Sequence, residues 1–368
     1  MKIAYIANIR FPTERAHGFQ IAKMCEAFLL NEVEIELVIP QRNNPFENQD
    51  PMKFYDLKNR FDIQYLKSSN YKSTRLGALW NLISFNFKVL SYLSFKKDIV
   101  VFSRDKTIIL VASLLGRKTF YEIHQARRGF LEFIVSRIAT GVIFISYGLE
   151  KFYKEIWKNK PTLVAHDAFD ERDFKDLTSK EDLRVDLNLP QNKQIVLFAG
   201  HFHPWNGVEI LASVAKDFPE VIFILIGGVK EKIKIFKEKF TSSNLKFLEF
   251  QPHALVPKYL KSADLLIIPS SAKYDVTKFY ASPMKLFEYM ASGTPILASD
   301  LPSLREILNE NIAYFFEPND DKSLRDNLHK ILKDDFKSKK AELAKDMVNQ
   351  YTWKNRAKKI ISFIKKHV

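Results

Sequence analysis

Two doubly wound α/β domains are the fold class this sequence predicts, and three observations predict it. The chain has 368 residues, more than one hydrophobic core usually supports. Short apolar runs rich in β-branched and aromatic residues alternate with helical segments, the pattern of a parallel sheet covered on both faces. The alternation also breaks once, at a charged and turn-rich stretch, and then restarts.

In the first half the strands expected are KIAYIAN (2–8), VEIELVI (33–39), DIVVFS (98–103), KTFYEI (118–123), GVIFIS (141–146) and PTLVA (161–165). Helical segments such as HGFQIAKMCEAFLL (17–30) and SYGLEKFYKEIWK (146–158) lie between them. The N-terminus MKIAYIANIRF has a short apolar run without a small-residue cleavage site, so it reads as the first strand and not a signal peptide. Residues 166–193 carry the break and read as a linker. The second half restarts with QIVLFAG (194–200), EVIFILIGG (220–228), LKFLEF (245–250), DLLIIPS (264–270), TPILAS (294–299) and IAYFF (312–316). The last segment, WKNRAKKIISFIKK (353–366), is a basic amphipathic helix. The expected domains are 1–165 and 194–350, with 351–368 as a terminal helix. Ligands of such sheets bind beyond the carboxyl ends of the strands, so two halves facing each other imply an interdomain cleft.

Apolar residues make up 46% and charged residues 27%, ordinary for a globular protein. One cysteine, Cys25, excludes an intrachain disulfide framework and a multi-cysteine metal site, and fits a reducing compartment. The net charge is +14, and residues 51–130 hold 15 Lys or Arg against 5 Asp or Glu. An anionic partner is one reading of that zone, and lysine-rich composition is the other. The segment LGALWNLISFNFKVLSYLSF (76–95) has the length of a membrane span, but Lys88 sits near its middle. It reads as a helix packed within the domain or lying on a bilayer, flanked by Lys72, Arg75, Lys96 and Lys97.

The stretch SPMKLFEYMASGTPI (282–296) holds the chemistry. Ser282 suits a helix cap, Pro283 the first helical position and Gly293 the stop. Lys285 then falls in the first turn, against the helix dipole, where it suits a docked anion such as a diphosphate. Glu288, on the same face, could accept hydrogen bonds from a vicinal diol such as a ribose. The alternative is a plain Lys285–Glu288 pair at i, i+3. Neither GxxxxGK[ST] nor GxGxxG occurs, which argues against P-loop and nicotinamide chemistry. HFH (201–203) and HDAFD (166–170) lack a convincing third ligand, so no metal is expected.

The chain resembles the family-4 glycosyltransferases of the GT-B fold. The resemblance is densest in FAGHFHPWNGVEIL (198–211), FILIGG (223–228), LVPKYLKSADLLIIPS (255–270), SPMKLFEYMASGTPILASD (282–300) and LPSLREIL (301–308). It is looser through Gly18, FSRD (102–105) and YEIH (121–124). It implies a retaining transfer of a hexose from a nucleoside diphosphate sugar, without metal or cofactor, to a glycan or lipid-linked acceptor in surface polysaccharide or glycoconjugate synthesis. By the same resemblance His124 and Lys285 are the catalytic candidates. Gly18, Gly200, His201, Asn206, Tyr280, Ser282, Pro283, Met284 and Glu288 would meet the donor. Arg104, Arg127 and Arg128 are placed for an anionic acceptor, and the last helix is expected to cross back to the first domain.

Three positions depart from the family pattern. Tyr280 stands where the first glutamate of its E-x7-E motif falls; His201 and Asn206 replace an arginine and a lysine that neutralise the diphosphate. Lys285 and the amides of 282–285 then carry more of that charge, or donor affinity is low. Two rivals follow: a sugar-nucleotide-binding protein with impaired catalysis, and a basic nucleic-acid-binding protein. The second lacks a recognition motif, so no nucleic acid is expected. The basic zone and the helix at 76–95 suggest an acceptor at the inner leaflet, such as a polyprenyl-diphosphate-linked sugar, and so a cytoplasmic protein peripheral to the inner face of the membrane.

Overall fold

In the computed structural model, all residues are described except 72, 73, 335 and 336. The chain forms two compact units, residues 1–166 with 353–368, and residues 167–352. Lys72 lies outside the described residues.

The first unit is built on a parallel sheet of β1 (Lys2–Ile6), β2 (Glu34–Gln41), β3 (Asp62–Lys67), β4 (Val100–Ser103), β5 (Thr119–Ile123), β6 (Gly141–Phe144) and β7 (Thr162–Val164). Their spatial order is β3-β2-β1-β4-β5-β6-β7. Chain direction across the sheet reverses between β1 and β4, the position where ligands of doubly wound sheets dock. Six of these strands coincide with expected ones to within two residues at each end; β3 was not foreseen. Only Ile63 and Leu66 are half-buried and its other four residues are exposed, because it is an edge strand. The terminal helix Trp353–His367 packs in this unit, and its Arg356 donates to the His166 carbonyl at 2.8 Å.

The second unit carries β8 (Gln194–Ala199), β9 (Val221–Gly228), β10 (Leu245–Glu249), β11 (Leu265–Ile268), β12 (Ile296–Ser299) and β13 (Tyr314–Phe316). Their order, β10-β9-β8-β11-β12-β13, repeats the same winding, with its reversal between β8 and β11. Alternate residues of β8 enter opposite cores. Ile195, Leu197 and Ala199 pack with Phe287, Tyr289 and Met290. Val196 and Phe198 pack with Leu211, Phe223 and Leu328 on the other side. Both faces are buried, which is why the strand reads as a continuous apolar run.

Of residues 166–193, read as a linker, all but His166 fold within the second unit. They form the short helices Arg172–Lys175 and Lys180–Asp186. Buried Arg184 ties the second of these to Asp264 at 2.6 Å and to the Ser262 carbonyl at 2.9 Å. Asp264 also accepts from Lys180 and from the Ile195 amide. Charge in this stretch therefore serves tertiary pairing where sequence alone suggests solvation.

Candidate functional site

In the second unit the site builds on the carboxyl end of β8. Its last residue, Ala199, donates its amide to the Tyr289 hydroxyl at 2.7 Å. Tyr289 is fully buried in the helix Met284–Ser292, so this bond fixes that helix against the strand end. Pro283 takes the cap position, one residue before its expected place, and Gly293 ends the helix at φ +69°. Ser282 does not cap it. Its buried hydroxyl accepts the Asp167 amide at 2.8 Å, which turns it away from the helix amides. With Pro283 supplying no side-chain cap, the first-turn amides of Met284 and Lys285 lack an intrahelical partner.

Lys285 reaches from this turn to the loop after β8. Its Nζ donates to Asn206 Oδ1 at 3.3 Å and stands 4.5 Å from the centre of the Phe198 ring. Among the described residues no ion pair joins it to Glu288, so the i, i+3 pairing is not formed. Burial pushes the ammonium down to about 7, with Glu288 pulling it back up. Gly200 makes room here: a Cβ on it would fall 3.4 Å from Lys285 Nζ and 3.2 Å from the Phe198 ring. Asn206 closes the loop by donating to the His201 carbonyl at 2.7 Å. One side chain thus staples the loop and solvates the lysine. His201 is half-buried, with its ring 5.5 Å from that of His203. His203 in turn stacks on Trp205 at 4.2 Å.

The loop after β11 locks against this one. The Ser271 amide donates to the Trp205 carbonyl at 2.9 Å, and Gly207 lies so close to Pro269 that a Cβ would sit 1.7 Å from the Pro269 carbonyl oxygen. The two loops flank the reversal between β8 and β11. Tyr280 ends a single π-helical turn, Val276–Tyr280, and is half-buried beside Phe279. Such turns often mark functional places in helices.

Glu288 is oriented by residues that sequence reasoning missed. Its Oε1 lies 3.3 Å from Nε2 of His253, whose Nδ1 lies 3.5 Å from Asp173 Oδ2. His253 and Asp173 are remote in sequence, and neither sits in a motif.

In the first unit His124 follows β5, and its Nε2 lies 2.9 Å from Glu122 Oε2. Glu122, also missed, is fully buried and is the hub of the region. It accepts from Arg104 Nε at 2.8 Å and from Arg356 Nη2 at 2.7 Å. Burial alone would raise its carboxyl, but Arg356 and Arg104 hold it well below the usual carboxylate range. Burial, with Arg104 nearby, pushes His124 down to about 4 against the pull of Glu122. A glutamate inside the apolar run KTFYEI was the available signal. Arg104 is therefore held in place by a buried carboxylate. Arg128 lies over the Phe152 ring at 4.4 Å and donates to the Phe152 carbonyl. The Arg127 side chain is exposed, while its amide donates to the Tyr153 hydroxyl at 2.8 Å. Gly18 differs from the expected open approach: it is buried, and a Cβ would meet Thr13 Cγ2 and the Tyr55 hydroxyl at 2.4 Å each. Tyr55 occupies that space because its hydroxyl accepts the Thr13 amide at 2.7 Å.

Residues 179–352 match the family model described as Glycosyl transferases group 1. Lipopolysaccharide 1,2-N-acetylglucosaminetransferase of Salmonella typhimurium is 23% identical over 235 residues, 59% of this chain and 60% of that protein. D-inositol 3-phosphate glycosyltransferase of Mycobacterium bovis is 25% identical over 137 residues, 35% of this chain and 27% of its own length. The chain thus spans less than two thirds of both curated relatives. Among solved structures, sucrose-phosphate synthase from Thermosynechococcus elongatus superposes with a TM-score of 0.81 at 18% identity, over 99% of this chain and 98% of that one. Anabaena Alr3699/HepE in complex with UDP gives 0.76 at 18% identity over the whole of both chains. These likenesses establish the architecture: two Rossmann-like domains of the GT-B class.

Proposed function

We propose that this chain, whose residues 179–352 match the group 1 glycosyl transferases, moves a hexose from a nucleoside diphosphate sugar to a glycan or lipid-linked acceptor. The observation that carries the reading is Lys285. It stands in an uncapped first helical turn, desolvated, with an amide and an aromatic ring as neighbours and, among the described residues, no carboxylate paired to it. A lysine so placed opposes the helix dipole and is stabilised by an incoming anion. The departing diphosphate would be met by Lys285 and the amides of Met284 and Lys285, charge stabilisation that needs no metal. Glu288, held by His253, would accept the ribose hydroxyls. His124, neutral and fixed by Glu122, would serve the transferred sugar, and Arg127 the acceptor. Retention of configuration follows the family resemblance.

The solved Anabaena relative in complex with UDP-glucose, 17% identical, supports a uridine donor as the first to try. Membership of surface polysaccharide synthesis, at the cytoplasmic face of the membrane, fits the relative named as a lipopolysaccharide transferase. A panel of nucleotide sugars, scored by thermal stabilisation and then by turnover, tests the reading. Lys285→Ala is expected to lower turnover about tenfold or more, the loss of one charge-stabilising contact. Glu288→Ala should weaken nucleotide binding by calorimetry. Wild-type rates in the lysine variant would refute the assignment. Asn206 in place of a lysine favours a second reading, a donor-binding protein without transfer. Nucleotide-sugar stabilisation with neither transfer nor donor hydrolysis would select it.

A further inference from the structure

The helix Arg75–Ser94 carries apolar stripes on two opposite sides. On the inner side Phe85, Val89 and Leu93 are fully buried against Ala4, Val38, Ile108 and Ala112. On the outer side Leu76, Leu79, Trp80, Ile83, Phe87 and Leu90 are all exposed, Leu76 by 81% and Phe87 by 66%. They recur three or four residues apart, the spacing of one helix face. Phe87, for one, lies about half a turn from both Phe85 and Val89. A surface helix ordinarily gives that outer face to polar residues, and a continuous apolar stripe marks an interaction site.

The charges around the stripe identify the partner. No acidic residue occurs between Asp62 and Asp98. Arg75, Lys88 and Lys97 are exposed along or just beyond the helix. Two copies of this face set together would oppose cation to cation, which argues against self-association. No helix among the described residues is long and apolar enough to cross a membrane. Apolar side chains on one face, a tryptophan among them and cations on the flanks, are the chemistry of a helix lying in an anionic interface.

We propose that the outer face of Arg75–Ser94 docks into the headgroup region of a bilayer containing anionic lipid. The apolar stripe enters the acyl boundary, and Arg75, Lys88 and Lys97 meet lipid phosphates. This deepens the membrane part of the reading above, and its test needs no sugar substrate.

The full chain is floated with vesicles of phosphatidylcholine alone and of phosphatidylcholine with phosphatidylglycerol, at low and high salt. Binding is expected to the anionic vesicles and to weaken with salt. Trp80→Glu and Phe87→Glu, both on exposed positions, should each reduce it about tenfold or more while leaving the melting temperature unchanged. Transfer to a water-soluble acceptor should survive in both variants, which separates lipid docking from catalysis. Unaltered flotation of the variants, or no binding by the wild type, would overturn the proposal. So would sedimentation showing a wild-type dimer that the glutamates dissociate.

Discussion

Lys285 links a burial effect to a pH dependence. Its ordinary value of 10.5 is pushed down to about 7 by desolvation, so near neutrality the unliganded site is only partly charged. A docked diphosphate favours the cation, and binding must then take up a proton. Calorimetry of a nucleoside diphosphate at about pH 8 should give an apparent enthalpy that varies with the ionisation enthalpy of the buffer. Lys285→Ala should remove that variation. Affinity should fall as pH rises above about 7, at most tenfold per pH unit for one proton. The same displaced titration has a folding consequence with the opposite direction. Between about 7 and 10.5 the unfolded chain holds a proton that the folded chain has released, so this group makes the fold more stable as pH rises through that window.

At the level of strands and loops, legibility followed burial. β8 and β9 are buried on both faces and announced themselves as apolar runs, whereas β3 lies at a sheet edge with Asp62, Gln64 and Lys67 exposed and gave no such signal. The helix carrying Lys285 and Glu288 was readable because proline, glycine and the two charges are contiguous. His253 and Asp173 were not, because only the folded chain brings them to Glu288. Glycines illustrate the same limit. Gly207 has φ +66° and a would-be Cβ 1.7 Å from the Pro269 carbonyl oxygen, while Gly116 has φ +71° and nothing within 4 Å. Alanine at 116 should cost only the left-handed strain, about 1 kcal/mol. Alanine at 207 must also part the loops after β8 and β11. We expect it to cost about 2–4 kcal/mol in denaturant unfolding and to weaken nucleotide binding as well.

Across the whole molecule, the buried Glu122 joins residues far apart in the chain. Arg356 reaches it from the terminal helix, and also donates to the His166 and Ala165 carbonyls and to Met24 Sδ. Arg356→Met should destabilise by about 3–5 kcal/mol, the usual cost of leaving a buried charge short of its partner. Because the arginines hold the Glu122 carboxyl low, its contribution is present at neutral pH and lost as the medium becomes acid. Acid unfolding of the variant should therefore begin at higher pH than in the wild type, as followed by circular dichroism. The unit that contains Glu122 is also discontinuous: residues 353–368 complete it after residues 167–352 have formed the other unit. A ribosome making this protein releases the second unit whole while the first still exposes the seat of its missing helix. Truncation before Trp353 would strand an open apolar surface on the half synthesised earlier, so chaperones should act on residues 1–166 until residues 353–368 have emerged.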